Sequence, residues 1–207
     1  MCQGVYGKGV SDWGLSYSEG AYLVFKQIND QLWIDLEQKR ITKEELFACR
    51  WSRIFDALGI RKNGPEFEGL FKSYLYDAAI PVEGAVDMLA YLAGKYQVYA
   101  VSNGSQSQQC NRLKNAGMLP YLRDVFTSER MGYQKPLKEF FDGVYACLGG
   151  VKPRESILIG DSLSADMRGA VPYEIHTIWL NREHKDPPAD LVVDFEIDSL
   201  SDVEFIL

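Results

Sequence analysis

The sequence predicts an α/β fold, a parallel sheet wrapped by helices, with an all-helical unit ahead of it. Three observations carry that expectation. From about Ser16 to Phe71 apolar residues recur at helical spacing, and no alternating β-branched run interrupts them. From Pro81 onward short apolar runs alternate with amphipathic stretches, the texture of βαβ units with right-handed crossovers. Finally, in LIGDSLSAD an apolar run stops at Gly160 and two carboxylates follow, Asp161 and Asp166, where the pattern turns helical. The expected division is residues 1–79 for the helical unit and residues 80–207 for the α/β unit.

Within the first half, Ser16–Glu19 has the S-x-x-E spacing of a capping box and precedes AYLVFKQINDQLWIDLEQ. Thr42–Glu45 is a second such box, opening LFACRWSRIFDALGI, which Gly59 stops. FEGLFKSYLYDAA gives a third helix. In the second half EGAVDMLAYLAGK reads as a helix and Gln97–Ser102 as a buried strand. SQQCNRLKNAGM is a helix closed by Gly117, and Val125–Glu129 is a strand. KEFFDGVYACLGG is a helix, SILIGD a strand, and ADMRGAV a short helix. His176–Asn181 and LVVDFEI complete the set of strands.

Composition narrows the function. The chain has 207 residues with 46% hydrophobic and 25% charged content, ordinary for a globular protein. No apolar run approaches a membrane span, and the N-terminal residues lack a signal-peptide layout, so neither a membrane nor export is expected. Four scattered cysteines suggest neither a zinc site nor a disulfide framework, and a reduced, cytoplasmic setting fits. The net charge of −7 argues against a nucleic-acid surface. The two histidines, His176 and His184, lie in a strand-like run and a polar loop. Catalysis would therefore fall to carboxylates.

Ligands on parallel sheets bind beyond the carboxyl ends of the strands. That rule gathers Ser102-Asn103-Gly104, Lys135 in GYQKP, and the Asp161…Asp166 pair. Each group has an ordinary explanation alone: a capping serine, a solvated lysine, a turn acid and a first-turn acid. Together they suit phosphoryl chemistry. A hydroxyl and backbone amides grip phosphate oxygens, a lysine neutralises them, and two carboxylates hold Mg²⁺. The partner expected is a small phosphorylated molecule, a nucleotide or a sugar phosphate.

These motifs, VSNG, the lysine of QKP and GDSLSAD, resemble the second, third and fourth motifs of the haloacid dehalogenase (HAD) superfamily, over Pro81–Leu207. The resemblance implies a Rossmann-like core with a helical cap and a Mg²⁺-dependent phosphatase activity. It implies that Ser102, with Asn103 and Gly104, binds phosphate, that Lys135 steadies an aspartyl-phosphate, and that Asp161 and Asp166 serve the metal. INDQLWIDLEQKRITKEEL and WLNR are similar to the pyrimidine 5′-nucleotidase branch that acts on non-standard nucleotides. A non-catalytic nucleotide-binding relative and a haloacid dehalogenase are the competing expectations. Tyr22, Phe25, Trp33 and Trp51 are expected in the cap core rather than stacked on a base.

The family's nucleophile motif, D-x-D-x-[TV] after an apolar first strand, does not occur. IDLE, Ile34–Glu37, has acids at the right spacing but lies inside a helical run. In the family that first strand lies between the strands read here as Gln97–Ser102 and Glu155–Ile159. Its omission leaves a gap of roughly 10 Å or forces closure. Gly4–Val10 could fill the gap, though its glycines make a poor strand. The expectation is a chain that lacks its true beginning, through a misplaced start codon or a shifted frame, and shows little or no turnover as it stands. The sequence leaves the oligomeric state open.

Overall fold

The computed structural model describes residues 2–207, with side chains from Tyr6 onward. The chain divides into two units, Met1–Ile80 and Pro81–Leu207. The first holds four helices: α1 (Cys2–Asp12), α2 (Glu19–Glu37), α3 (Lys43–Ala57) and α4 (Gly64–Asp77). Gly4–Val10, considered above as a strand, is part of α1. The reason is visible in the spacing of Tyr6 and Val10, which share one helical face and are 2% and 3% exposed. A side chain at Gly9 would press on the Phe67 ring, so glycine lets α1 lie close there.

Capping explains the helix starts. The S-x-x-E box at Ser16–Glu19 does not form. Ser18 has the extended backbone of a cap and accepts the Ala21 N–H at 3.1 Å, so α2 starts two residues later than that box requires. The Thr42–Glu45 box does form. Thr42 accepts the Glu45 N–H at 3.1 Å, and Glu45 accepts the Thr42 N–H at 2.8 Å. α3 ends before Gly59, whose φ of +66° suits a residue without Cβ. Phe25, Trp51, Ile54, Phe67 and Phe71 fill the core of this unit. Trp51 meets Phe67 edge-on with ring centroids 4.3 Å apart. Phe25 and Trp51 are each 1% exposed, so neither offers a face to a ligand. Trp33 packs on Phe47 and Tyr22 on Tyr6 and Phe25.

An ion pair also lies in that core. Arg50 donates to both carboxylate oxygens of Glu68, at 2.7 and 3.0 Å, and to Asn29 Oδ1 at 3.0 Å. Burial pushes the Glu68 carboxyl up, and Arg50 pulls it back only in part. Removing one partner strands a charge in a low-dielectric site, whereas replacing both with apolar residues removes the problem. Arg50→Ala is expected to cost about 3–5 kcal/mol in urea denaturation. The Arg50→Met/Glu68→Leu double variant should recover most of that loss.

The second unit alternates as expected: α5 (Ala85–Ala93), β1 (Tyr99–Ser102), α6 (Gln106–Asn115), β2 (Asp124–Thr127), α7 (Ser128–Met131), α8 (Lys138–Cys147) and β3 (Ile157–Gly160). After β3 come a π turn (Leu163–Met167), α9 (Arg168–Ala170), β4 (His176–Leu180), β5 (Phe195–Ile197) and α10 (Val203–Ile206). Every strand is shorter than its expected run: β1 begins at Tyr99, β3 lacks Ser156 and Asp161, and β4 lacks Asn181, and in the other two strands the cause is a side chain. β2 stops at Thr127 because its hydroxyl caps α7, accepting the Arg130 N–H at 3.3 Å. LVVDFEI is strand only at Phe195–Ile197. Ahead of it, Asp194 takes the Thr177 N–H and hydroxyl on its carboxylate, and side-chain bonds replace the ladder.

All pairings are parallel, but the sheet comes in two pieces, β1–β2 and β3–β4–β5. No strand lies between β1 and β3 among the described residues. A cavity of about 580 Å³ occupies that place. Helix α8 covers the face carrying Leu158 and Val101, and α5 covers the face carrying Ile157 and Ile159. Among the described residues no helix is long and apolar enough to cross a membrane.

Candidate active site

The carboxyl ends of β1 and β3 are joined by one side chain. Lys135 lies in the loop after β2 and is 7% exposed. Its ammonium donates to the Val101 carbonyl of β1 at 3.1 Å and to Asp166 Oδ1 at 2.5 Å. Asp166 is 5% exposed, and its other oxygen accepts the Ser162 N–H at 3.2 Å. Three distant segments therefore converge: the end of β1, the loop after β2 and the turn after β3. A buried charge pair of this kind persists only when both members are also hydrogen-bonded, and here they are.

Local sequence sets each position. Ser162 caps the π turn by accepting the Ala165 N–H at 3.0 Å, and the turn carries Asp166 back over the end of β3. Gly160 makes room for it. A Cβ there would lie 2.4 Å from Asp166 Oδ2 and 2.6 Å from its Cγ. Trp179, buried in β4, donates its indole N–H to the Asp161 carbonyl at 3.2 Å and fixes the backbone where the first acid leaves the strand. Gly169 brings the following turn against Phe141 and Pro136, since a Cβ there would lie 2.5 Å from the Phe141 ring. Pro136 follows Lys135 through a cis peptide bond.

Asn103 takes a part that its sequence position did not announce. Its side-chain amide clamps the Lys135 backbone, accepting the Lys135 N–H at 2.7 Å and donating to the Lys135 carbonyl at 2.9 Å. The Asn103 side chain thus holds the lysine's loop, which leaves any phosphate contact at this residue to its backbone, as expected from sequence. Ser102 Oγ accepts the Gly104 N–H at 3.2 Å, a tight turn beyond β1. The start of α6 also differs from the simple anion cradle expected. The helix begins at Gln106, whose N–H goes to Glu129 Oε2 at 2.7 Å. The positive end of that helix already holds a carboxylate of the protein.

Asp161 is the carboxylate left facing water. Its side chain is solvent-exposed yet stands in a crowded recess. Crowding by protein atoms pushes its pKa up, the Asp166 charge pushes it further, and Lys135 and Lys185 oppose the shift. Water reaching the group tempers the effect. Two carboxylates meet here, but among the described residues no group of three His, Cys, Asp or Glu side chains forms a ready metal cluster. Of the residues singled out from sequence, Ser102, Asn103, Gly104, Lys135, Asp161 and Asp166 all fall at this rim. Gly160 could have been found from sequence as a glycine ending a strand just before an acid. The Val101 carbonyl, the Glu129 cap and the Trp179 contact left no such signal.

With this geometry in view, the relatives are informative. The haloacid dehalogenase-like hydrolase family model matches residues 18–180, and the chain belongs to that family. YfnB of Bacillus subtilis, described as a HAD-hydrolase, is 31% identical over 183 residues, covering 88% of this chain and 78% of its own. The pyrimidine 5′-nucleotidase PynA of Streptococcus pneumoniae is 35% identical over 177 residues, 85% of this chain and 75% of PynA. The magnesium-bound crystal structure of YfnB superposes with a TM-score of 0.91 at 28% identity, over 98% of this chain and 89% of that one. The α/β fold with parallel strands and a helical region is thus that of a HAD hydrolase.

The packing at Gly160 yields a test. Gly160→Ala should force Asp166 off the strand end and loosen its bond to Lys135. The expected loss is about 1–3 kcal/mol in denaturant unfolding, the range for overpacking. Gly149→Ala, where no neighbour lies within 4 Å but φ is +66°, should lose stability through backbone strain alone and leave the Lys135 ammonium resonance unmoved.

Proposed function

We propose that this rim is the phosphate- and metal-binding site of a Mg²⁺-dependent phosphomonoesterase, with pyrimidine nucleoside monophosphates as the favoured substrate class. The observation that carries the reading is the convergence of Lys135, Asp166 and Asp161 beside Ser102 at the strand ends. The substrate class is supported by likeness to PynA and to the pyrimidine 5′-nucleotidase YjjG of Escherichia coli, 24% identical over 196 residues.

In this reading the Ser102 hydroxyl and the Lys135 ammonium bind phosphate oxygens, assisted by the backbone at Asn103-Gly104. Asp161, the exposed acid, would hold Mg²⁺. Asp166 adds charge to the same pole and holds Lys135 in place. The donor chemistry fits a hard cation: two carboxylates crowd each other, and a divalent ion relieves the repulsion that pushes Asp161 up. When bound, Mg²⁺ neutralises charge on the transferred phosphoryl group. Hydrolysis through a covalent intermediate also needs a carboxylate nucleophile. The D-x-D motif expected to supply it is absent from these 207 residues, so their turnover should be small. That same absence favours a second reading, a relative that binds nucleotide without hydrolysing it.

Phosphate release from p-nitrophenyl phosphate, uridine monophosphate and thymidine monophosphate, with and without Mg²⁺, tests the reading. Release near background is expected from this chain. Turnover abolished by Asp161→Asn would show that another residue supplies the nucleophile. Mg²⁺ binding has its own readout. With a Kd on the order of 1 mM, about 10 mM Mg²⁺ adds roughly 1.4 kcal/mol, a rise in Tm of about 3–5 °C. That rise should vanish in Asp161→Asn. If wild type shows no rise, the metal assignment fails.

The pH dependence has a definite sign. A carboxyl whose folded pKa is raised contributes stability below its unfolded value, near 3.9, and loses it as pH rises through the folded value. Asp161→Asn cannot ionise and escapes that loss. In metal-free buffer the variant should therefore be more stable than wild type at neutral pH, with the difference shrinking on acidification.

A further inference from the structure

Most hydrogen-bond donors on the turn after β1 are already committed within the protein. The Asn103 amide donates to the Lys135 carbonyl at 2.9 Å, and the Gly104 N–H goes to Ser102 Oγ at 3.2 Å. At the start of α6 the Gln106 N–H goes to Glu129 at 2.7 Å. The Gln106 side-chain amide donates to the Val125 carbonyl at 3.2 Å and to Cys110 Sγ at 3.4 Å, and its oxygen accepts the Thr127 hydroxyl at 2.7 Å. An ammonium has three N–H groups, and Lys135 uses two of them on Val101 and Asp166. Ser102 and Lys135 thus have one side-chain proton each to offer a ligand. A phosphoryl group presents three strong acceptor oxygens, which leaves room for another donor.

Gln109, in the first turn of α6, has such a donor in place. Its side chain folds back over Gly104: a Cβ on Gly104 would lie 2.4 Å from Gln109 Nε2 and 3.0 Å from its Cγ and Cδ. The glycine therefore admits the amide, nitrogen foremost, onto the turn that carries Ser102. Gln109 is half-buried, so its amide stays within reach of a ligand, and among the described residues that amide has no hydrogen-bond partner. Ordering a long polar side chain costs rotamer freedom, which a hydrogen bond normally offsets. Gln106, three residues earlier, has that compensation at both ends of its amide, and Gln109 has it at neither.

We propose that the side-chain amide of Gln109 is a further phosphate-binding group, donating to an oxygen of the phosphoryl group held by Ser102 and Lys135. The inference rests on the phosphate-site reading above and deepens it. A neutral amide adds a bond to the anion without adding positive charge beside the pole where Asp161 and Asp166 would hold Mg²⁺. Its two N–H groups keep their protons at any pH the fold survives, so its contribution is the same for either ionic form of a phosphomonoester. Gly104 acquires a second purpose on this account, as the gap in the turn through which the amide reaches the ligand.

The test titrates inorganic phosphate into the 207-residue chain in Mg²⁺ buffer and follows ¹⁵N-edited NMR spectra. Two signals are read together, the Lys135 ammonium and the Gln109 side-chain amide, the latter assigned as the pair missing from Gln109→Met. Both should move along one binding curve. Gln109→Met keeps the length of the side chain and loses its donors, and it should weaken phosphate binding by at least about tenfold, as for a hydrogen bond to a charged group. Gln109→Glu sets a carboxylate against the anion and should weaken it further. In phosphate-free buffer Gln109→Met should unfold at the wild-type Tm, because the amide has no internal partner to lose. A lowered Tm with phosphate affinity intact would mean that Gln109 only props the turn, and would overturn the proposal. So would a Lys135 signal that moves while the Gln109 pair stays still, an outcome that leaves the phosphate site itself standing. Phosphate that moves neither signal overturns both. Should Gln109→Met fail to fold, Gln109→Glu assigns the pair and the wild-type titration decides.

Discussion

The site depends on a single ammonium group. Lys135 comes from the loop after β2, yet its charge is balanced by Asp166 beyond β3 and its remaining bond goes to the end of β1. No strand pairs β1 with β3 among the described residues, so the lysine is the visible polar link between the ends of the two sheets. Buried pairs of this type contribute little net energy compared with apolar packing, but losing one member is expensive. That asymmetry makes the pair a positional device. It fixes which acid is buried and which, Asp161, is left to face water.

Around that link the structure removes bulk wherever backbone and charge must come close. Gly160 lets the Asp166 carboxylate lie on the strand end, and Gly169 lets the next turn press on Phe141 and Pro136 behind Lys135. Asn103 clamps the lysine's backbone with two bonds, and Trp179 fixes the carbonyl of Asp161. The cavity between β1 and β3 lies next to this well-braced rim. Strand ends that would ordinarily be held by their neighbours are held instead by side chains, which accounts for the concentration of side-chain to backbone bonds at this one edge of the fold.

Much of this was legible in the sequence because local rules and tertiary structure agreed. The Thr42–Glu45 box, Gly59, Gly117 and the alternation after Pro81 each mark an element the structure contains. Legibility failed where a competing local cap or a tertiary partner overrode the signal read from sequence. Ser18 capped α2 in place of Ser16. Glycine-containing Gly4–Val10 became helix because Tyr6 and Val10 could reach an aromatic core. Thr127 ended β2 by capping the next helix, and Asp194 replaced ladder bonds with side-chain bonds. At the site, residue types and strand ends were readable, whereas side-chain directions were not. Asn103 turned to Lys135, and Glu129 filled the start of α6. Such contacts join residues more than twenty positions apart and leave no periodic trace.

The most direct test of the central claim is a double-mutant cycle on Lys135 and Asp166. Lys135→Met, Asp166→Asn and the pair are compared by denaturant unfolding, with a ¹⁹F label on Trp179 reporting the α/β unit. Trp179 is suited to this because the other three tryptophans, Trp13, Trp33 and Trp51, all lie in the helical unit. A coupling energy of at least about 2 kcal/mol is expected for a buried, hydrogen-bonded charge pair. Single and double variants that add to within about 0.5 kcal/mol would contradict it, and the ends of the two sheets would then be held together by something else.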